Sequence, residues 1–269
     1  MTTRELLQSV EIDLRDAEAL LAHVLDVDRG WLIAHAGDPV CQLKAREFMK
    51  KARARMQGEP LSYLLGYRDF WTLRLIVNPH VLIPRRETEH LVEWALERID
   101  RSALRVLDLG TGSGAVALAC KSARPEIEMC GTDISEDALR CARLNAEQLA
   151  LDVDWRCGRW FESVRGQRWD LVVSNPPYIH PDDVHLTQGD LRFEPRLALT
   201  EDIDGLSAYR ALAHGCQRWL MPGGSLCVEH GYDQQEAVKQ IFTDAGLQRV
   251  ETFLDYSGHP RITLGSYNG

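Results

Sequence analysis

Residues 106–119 read VLDLGTGSGAVALA. A run of branched apolar residues passes into three glycines spaced two apart and then into an alanine-rich segment of helical period, which spells strand, tight turn, helix. The same alternation continues from residue 104 through LRVLDLG, GAVALACKSA, IEMCGTD, SEDALRCARLNAEQLA, VDWRC and WDLVVSN. Short apolar strands separated by helical segments are the rhythm of a parallel, doubly wound α/β sheet. A helix is then expected around residues 205–220, a strand over GGSLCVEHG, a helix near 233–245, and two closing strands, QRVETFL and RITLGSY.

Upstream, the first 60 residues read as helices. LRDAEALLAHVL places Leu14, Ala17, Leu20, Leu21, Val24 and Leu25 at helical spacing, and LKAREFMKKARARM does the same with Phe48, Ala52 and Met56. Gly30, Gly37-Asp38-Pro39 and Gly58-Glu59-Pro60 break the chain between them. Residues 68–83, RDFWTLRLIVNPHVLI, change to alternation, and a β-hairpin with its turn at Asn78-Pro79 is expected there. TEHLVEWALERI then resumes a helical period, with Thr88 as its candidate N-cap. The expected organisation is a helical bundle over residues 1–66, a hairpin linker over 67–84 and an α/β domain over 85–269.

A chain of 269 residues with 45% apolar side chains can bury an ordinary core in one large and one small domain. Met1 to Ser9 lack a basic start followed by an apolar core, and no apolar run approaches the roughly 20 residues that span a bilayer. A cytoplasmic protein without membrane contact is expected. The seven cysteines are scattered and form no C-x-x-C pair, so they are expected to be reduced and mostly buried, with neither a disulfide framework nor a metal site. The net charge of −9 is uneven: residues 1–75 carry 11 basic and 11 acidic side chains, leaving 20 against 29 for the rest. A surface of that sign repels a phosphate backbone and argues against a nucleic-acid substrate. One exception is KAREFMKKARAR, residues 44–55, with six basic residues and one acidic. It is either a solvated helix face or a contact surface for an acidic or RNA-rich partner.

In the glycine-rich turn, Gly110, Gly112 and Gly114 remove side chains where a ligand must approach the backbone, and the helix start behind them offers N–H groups to a negative group. The next strand ends at Asp133, about 20 residues on, where a carboxylate could accept both hydroxyls of a ribose. Asp133 could instead cap the helix that follows, although Ser135 is available for that task. The spacing is G-x-G-x-G, not the dinucleotide G-x-G-x-x-G, and Asp108 stands two residues before the first glycine. A carboxylate there would repel a pyrophosphate and suits an ammonium group, so S-adenosyl-L-methionine fits this turn better than NAD. Trp160, after the third strand, is read as a base-stacking wall of the pocket or as a core tryptophan.

The strand WDLVVSN ends in Asn175-Pro176-Pro177-Tyr178. A residue before proline is pushed out of the helical region, so Asn175 and Pro176 are both held extended. Neither proline has an N–H, and the loop presents carbonyl oxygens and one amide in a stiff frame beside an aromatic ring. Such a corner suits a planar nitrogen that carries two hydrogens: the Asn175 side-chain oxygen takes one N–H, the Pro176 carbonyl takes the other, and Tyr178 packs on the flat face. The alternative is a rigid turn with no chemical role. An amide is a poor nucleophile, so methyl transfer to it needs placement, which can be worth roughly 7–11 kcal/mol of barrier.

With these residues on the page, the chain resembles the release-factor glutamine N5-methyltransferases of the HemK type over nearly its whole length. The resemblance rests on GEPLSYLLGYRDFW (58–71), LIPRRETEHLVE (82–93), VLDLGTGSGAVALA, SNPPYI (174–179), QGDLRFEPRLAL (188–199) and EHG (229–231). It implies a class I S-adenosylmethionine-dependent methyltransferase, with a Rossmann-like, seven-stranded, mostly parallel sheet behind a small helical bundle. The reaction implied is transfer of a methyl group to the glutamine side-chain amide of the Gly-Gly-Gln motif in class 1 peptide chain release factors, leaving S-adenosyl-L-homocysteine. By the same resemblance Asp108, Gly110, Thr111, Gly112, Ser113, Gly114, Asp133, Trp160 and Asn175 would hold the cofactor. Asn175, Pro176, Pro177 and Tyr178 would hold the glutamine, with Asn175, Pro176 and Tyr178 carrying the reaction, while the bundle grips the release factor. Arg86-Glu87 departs from the proline and acidic residue expected after Arg85, which bears on the stiffness of the linker.

The other readings concern single residues. His180 and His185 could pair on a metal but read better as solvent-facing loop histidines, and His230, beside Glu229, reads as a shielded strand-end residue or as one with a supporting role at the site. Glu194-Pro195 could close over the acceptor site or merely order its loop. Two other functions compete with protein-glutamine methylation: adenine N6-methylation of nucleic acid, which also presents a nitrogen with two hydrogens, and non-catalytic nucleotide binding.

Overall fold

The computed structural model describes residues 1–99, 104–201 and 204–269. Five helices open the chain: α1 (Thr3–Gln8), α2 (Leu14–Leu25), α3 (Arg29–Ala34), α4 (Gln42–Met56) and α5 (Leu61–Leu65). The first three start on side-chain caps, with Thr2, Asp13 and Asp28 accepting from backbone N–H groups of the first turn. Ala17, Leu20, Leu21 and Val24 of α2 bury their shared face against Leu6, Leu32, Phe48, Ala52 and Leu64. Leu14 and Met56, counted in the apolar stripes, are exposed because they occupy the first and last positions of their helices.

The hairpin is β1 (Tyr67–Phe70) with β2 (Leu73–Ile76), in the register Tyr67↔Ile76 and Phe70↔Leu73. Its turn is therefore Trp71-Thr72 and not Asn78-Pro79. No glycine or asparagine marks that turn; Trp71 takes the left-handed φ of 56° itself, and its N–H is held by Glu89 Oε1 at 3.0 Å. Asn78 instead accepts from the His80 N–H at 2.9 Å in a tight turn that leads the chain away from the hairpin. The helix after the linker is α6 (Glu89–Arg98). Thr88, at its start, has helical backbone angles and makes no capping bond, because its hydroxyl is engaged elsewhere.

There follow β3 (Arg105–Leu109), α7 (Ala115–Ala123), β4 (Glu128–Asp133), α8 (Glu136–Leu149), β5 (Asp154–Cys157), β6 (Trp169–Ser174), α9 (Ser207–Ala213), β7 (Leu220–Glu229), α10 (Gln235–Asp244), β8 (Gln248–Leu254) and β9 (Pro260–Ser266). They build a seven-stranded sheet in the order β5-β4-β3-β6-β7-β9-β8. The first five strands pair in parallel, and β9 runs antiparallel between β7 and β8. The helix expected over 205–220 is shorter: α9 stops at Ala213, and Gly215, at a φ of 67°, turns the chain into a single 3₁₀ turn.

Both faces of the sheet are covered, as a parallel sheet requires. Val106, Leu171 and Val173 point to the side of α6 and α7, whereas Leu107, Leu109 and Val172 point to that of α9 and α10. Asn145 of α8, fully buried, joins three elements: its Oδ1 accepts from Ile76 N–H at 2.6 Å, and its Nδ2 donates to Ile76 O at 3.0 Å and Ser113 O at 2.9 Å. This side chain fixes the hairpin against the helix that flanks the glycine-rich turn.

Candidate active site

β3 and β6 are neighbours at the centre of the sheet, and the chain leaves them for opposite flanks. That is a topological switch point, outside whose carboxyl ends doubly wound sheets bind ligands. The end of β3 is the glycine-rich turn, the end of β4 is Asp133, and the end of β6 is Asn175.

Gly110, Gly112 and Gly114 all lie in the left-handed region, with φ of 72°, 57° and 82°, so the spacing serves the backbone conformation as well as ligand access. The Asp133 carboxylate accepts from Gly112 N–H at 2.9 Å and from Ser135 N–H at 2.8 Å, and Ser135, not Asp133, caps α8. Asp108 is buried behind the turn, where it accepts from the Thr111 hydroxyl at 2.6 Å and from the Ala117 N–H. One of the helix-start N–H groups expected to face a ligand is thus taken by Asp108. Burial pushes the Asp108 carboxyl up to about 7 against these two donors.

A cavity of about 350 Å³ opens at these strand ends, lined by Gly110, Gly112, Asp133, Trp160, Asn175 and Pro177 among others. Thr111, Ser113 and Gly114 are buried and, like Asp108, do not line it. Trp160 has a left-handed φ of 48°, and its indole N–H is buried without a hydrogen-bond partner. A strained aromatic with an orphaned donor therefore stands at the cavity wall.

A second cavity, of about 50 Å³, lies on the other side of Asn175 and is lined by Asn175, Pro176, Tyr178, Leu82, Arg85 and Leu199 among others. Asn175 is common to both cavities. Its Nδ2 donates to Thr88 Oγ1 at 3.0 Å, which leaves the amide oxygen as the free branch of the side chain.

The corner from Asn175 to Tyr178 is pinned from several sides. Ser174 Oγ donates to Leu109 O at 2.7 Å, Gln234 Nε2 donates to Tyr178 O at 3.0 Å, and Ile179 N–H donates to Leu199 O at 2.9 Å. Gly205 passes so close that a Cβ there would stand 2.7 Å from Tyr178 O, at a φ of 69°. The Tyr178 hydroxyl donates to Glu229 Oε1 at 3.4 Å, and burial raises its pKa far above the ordinary value. Gln234 and Glu229 are legible in the sequence only as part of EHG and the helix start after it; nothing in their spacing points to Tyr178.

The loop after the corner covers both cavities, with Leu191 and Leu199 on the smaller, Pro195 and Leu197 on the larger, and Ala198 on both. Glu194 anchors it, accepting from Ile83 N–H at 3.3 Å and pairing with Arg85 at 2.5 Å. Desolvation raises the Glu194 carboxyl to about 6 although Arg85 opposes the shift. His180 and His185 are exposed on this loop, and among the described residues no group of three or more histidine, cysteine, aspartate or glutamate side chains could hold a metal. His230 is buried, its ring bonded to Thr263 Oγ1 at 2.9 Å and Gly231 O at 2.8 Å, away from the corner.

The chain matches two family models, the PrmC N-terminal domain over residues 1–66 and the methyltransferase small domain over residues 88–190. It is 50% identical over 260 residues to a release factor glutamine methyltransferase of Xylella fastidiosa (strain Temecula1), covering 96% of this chain and 94% of that one. It is 42% identical over 262 residues to the protein of that description from Escherichia coli K12, covering 97% and 95%. A crystal structure of a methyltransferase from Pyrococcus furiosus has the same fold at 18% identity, with a TM-score of 0.57 over 81% of this chain and 98% of that one. Near-complete coverage at these identities, on a seven-stranded sheet with a glycine-rich turn and an Asn-Pro-Pro-Tyr corner at its switch point, makes the chain a member of the release factor glutamine methyltransferase family.

Proposed function

We infer that the protein transfers a methyl group from S-adenosyl-L-methionine to the side-chain amide nitrogen of the glutamine in the Gly-Gly-Gln motif of class 1 release factors. The observation that carries this reading is Asn175, shared by a large cavity at the nucleoside end of the sheet and a small one at the proline corner. The full-length relatives bear the name of this activity.

The residues fit the cofactor. Gly110, Gly112 and Gly158 give the larger cavity a bare backbone wall, Asp133 retains lone pairs for ribose hydroxyls, and Trp160 offers a ring and an unpaired N–H. Asp108, buried behind the turn and outside the cavity lining, orders the turn through the Thr111 hydroxyl and the Ala117 N–H instead of meeting an ammonium group directly. When bound, the cofactor supplies an electrophilic methyl group on a positive sulfur, and the neutral thioether leaves without help.

The chain's own residues do the positioning. Asn175 Oδ1 and the Pro176 carbonyl accept the two N–H bonds of the carboxamide, and the Tyr178 ring bears on its flat face. The nitrogen lone pair is then turned toward the larger cavity. As the new N–C bond forms, one of the two N–H protons leaves to water or to Asn175 Oδ1, so no catalytic histidine is needed. The cavity of about 50 Å³ beside the corner admits a carboxamide. The acidic balance of residues 76–269, 20 basic against 29 acidic, disfavours a nucleic acid. The reading puts the protein in the cytoplasm, where release factors work.

Incubation with methyl-labelled S-adenosyl-L-methionine, a class 1 release factor and DNA tests it. Label is expected on the single peptide that contains Gly-Gly-Gln. Label in the nucleic acid and none in protein would overturn the reading.

A further inference from the structure

Asn175 can serve as an acceptor only if its amide presents oxygen, not nitrogen, to the substrate. The two orientations have the same shape and differ only in hydrogen bonding. Something must hold one of them. We propose that Thr88 and Glu229 are positioning residues that set this orientation, Glu229 acting through the Thr88 hydroxyl. The inference rests on the function assigned above and deepens it.

Thr88 stands at the start of α6, 4% exposed, and its Oγ1 accepts from Asn175 Nδ2 at 3.0 Å. Glu229 is the last residue of β7 and 1% exposed. Its Oε1 accepts from the Tyr178 hydroxyl at 3.4 Å, while its Oε2 is buried with no partner at hydrogen-bonding geometry. The Thr88 hydroxyl lies near enough to stabilise the carboxylate. A buried carboxylate with one oxygen lacking a donor thus lies beside the Thr88 hydroxyl, which accepts from Asn175 and donates in no other hydrogen bond among the described residues.

The polarity of this chain follows from counting protons. An ionised carboxylate only accepts. The Thr88 proton must then point at Glu229, so Thr88 offers Asn175 a lone pair, Nδ2 turns to Thr88, and Oδ1 turns to the substrate. With Glu229 protonated, its own proton can go to Thr88, the Thr88 proton can go to Asn175 Oδ1, and the amide turns over. It then meets the substrate N–H with a donor. The charges around Glu229 are near balance: burial and Glu87 push its carboxyl up to about 7, while Thr88, Arg261 and Tyr178 pull the other way. Tyr209 of α9 bonds the main-chain oxygen of Glu229, not the carboxylate, and the ring of His230 is committed to Thr263 and Gly231.

The test compares Thr88→Val, which keeps the shape and removes the hydroxyl, with Thr88→Ser, which restores it, and with Glu229→Gln. On release factor, Thr88→Val is expected to lower kcat by about tenfold or more with KM within about twofold, and Thr88→Ser to recover kcat to within about threefold. Wild-type kcat should fall as pH drops below 7, and Glu229→Gln should remove that limb. A second readout is independent of turnover. In protein labelled with ¹⁵N-asparagine, the Asn175 side-chain NH₂ should exchange slowly with solvent in the wild type and Thr88→Ser, and rapidly in Thr88→Val. Wild-type kcat in Thr88→Val, or an Asn175 NH₂ whose exchange does not depend on Thr88, would overturn the proposal. A Thr88-dependent NH₂ in a wild type that methylates no release factor would sink the substrate assignment and uphold the positioning role.

Discussion

Asp108 and Glu229 are buried carboxyls with no cation bound directly to either among the described residues, and both are pushed up to about 7 by desolvation. In the unfolded chain such groups titrate near 4. Between those values the folded protein holds protons that the unfolded chain has lost, so stability falls as pH rises through the window, by on the order of 1–3 kcal/mol for each group. Urea unfolding of wild type and Glu229→Gln at pH 5.5 and 8.0 reads this: the variant should show the smaller drop at the higher pH, and an equal drop would remove Glu229 from the account. The two ends of the site should separate under substitution. Asp133→Ala is expected to weaken cofactor affinity by roughly 1.5–3 kcal/mol, as loss of a charge-assisted hydrogen bond does. Asn175→Ala should keep that affinity within about tenfold and lower turnover by at least about 10²-fold. Titration calorimetry and single-turnover rates check both, and equal loss of binding and rate in Asn175→Ala would contradict its role. Asp133 and Asn175 were legible because each stands at the end of an apolar strand beside residues of unusual backbone. Thr88 was not: a threonine before a helical period reads as a cap, and its actual partner lies 87 residues away.

Among the elements, the hairpin shows how local signals mislead. Asn78-Pro79 carries the stronger turn chemistry, yet the strands close at Trp71-Thr72 because Glu89 and the packing of the Trp71 ring hold an aromatic in the left-handed region. Tertiary contacts of this kind leave no trace in spacing. The sheet was legible strand by strand, since apolar runs of five or six residues between helical periods have few other solutions. Asn145 was not, because a polar residue in an amphipathic helix reads as solvent-facing. Asn145→Leu would leave the Ile76 N–H and the Ser113 carbonyl without these partners, and the Ile76 carbonyl with only the weak Cys141 thiol donor at 3.2 Å. A loss of about 2–4 kcal/mol is expected by denaturant unfolding, along with weaker cofactor binding as the glycine-rich turn loosens. A loss below about 0.5 kcal/mol would show that the hairpin is held by other means.

At the scale of the whole molecule, the bundle and the catalytic domain meet through the loop that covers both cavities. Arg192 of that loop donates to Gln57 O at 2.7 Å, and Asp190 lies 3.9 Å from Arg55, which itself pairs with Asp16 at 2.6 Å. Of the basic residues of α4, Arg55 is thus structural, and Lys51 caps Leu64 O at 2.5 Å. Arg46, Lys50 and Arg53 are exposed. Replacing these three by alanine is expected to raise KM for intact release factor several-fold while leaving a short Gly-Gly-Gln peptide unaffected; no change for the intact factor would return α4 to a solvated face. The charge run was legible, but which of its members are free depends on packing across the bundle. The central claim, that a proline-stiffened corner holds a carboxamide by its two N–H bonds, is tested most directly by the structure of the protein bound to a release factor and S-adenosyl-L-homocysteine. The glutamine nitrogen should lie about 2.7–3.2 Å from both Asn175 Oδ1 and Pro176 O, with the sulfur across Asn175 in the larger cavity. A carboxamide seated elsewhere, or a corner turned away from the sulfur, would contradict it.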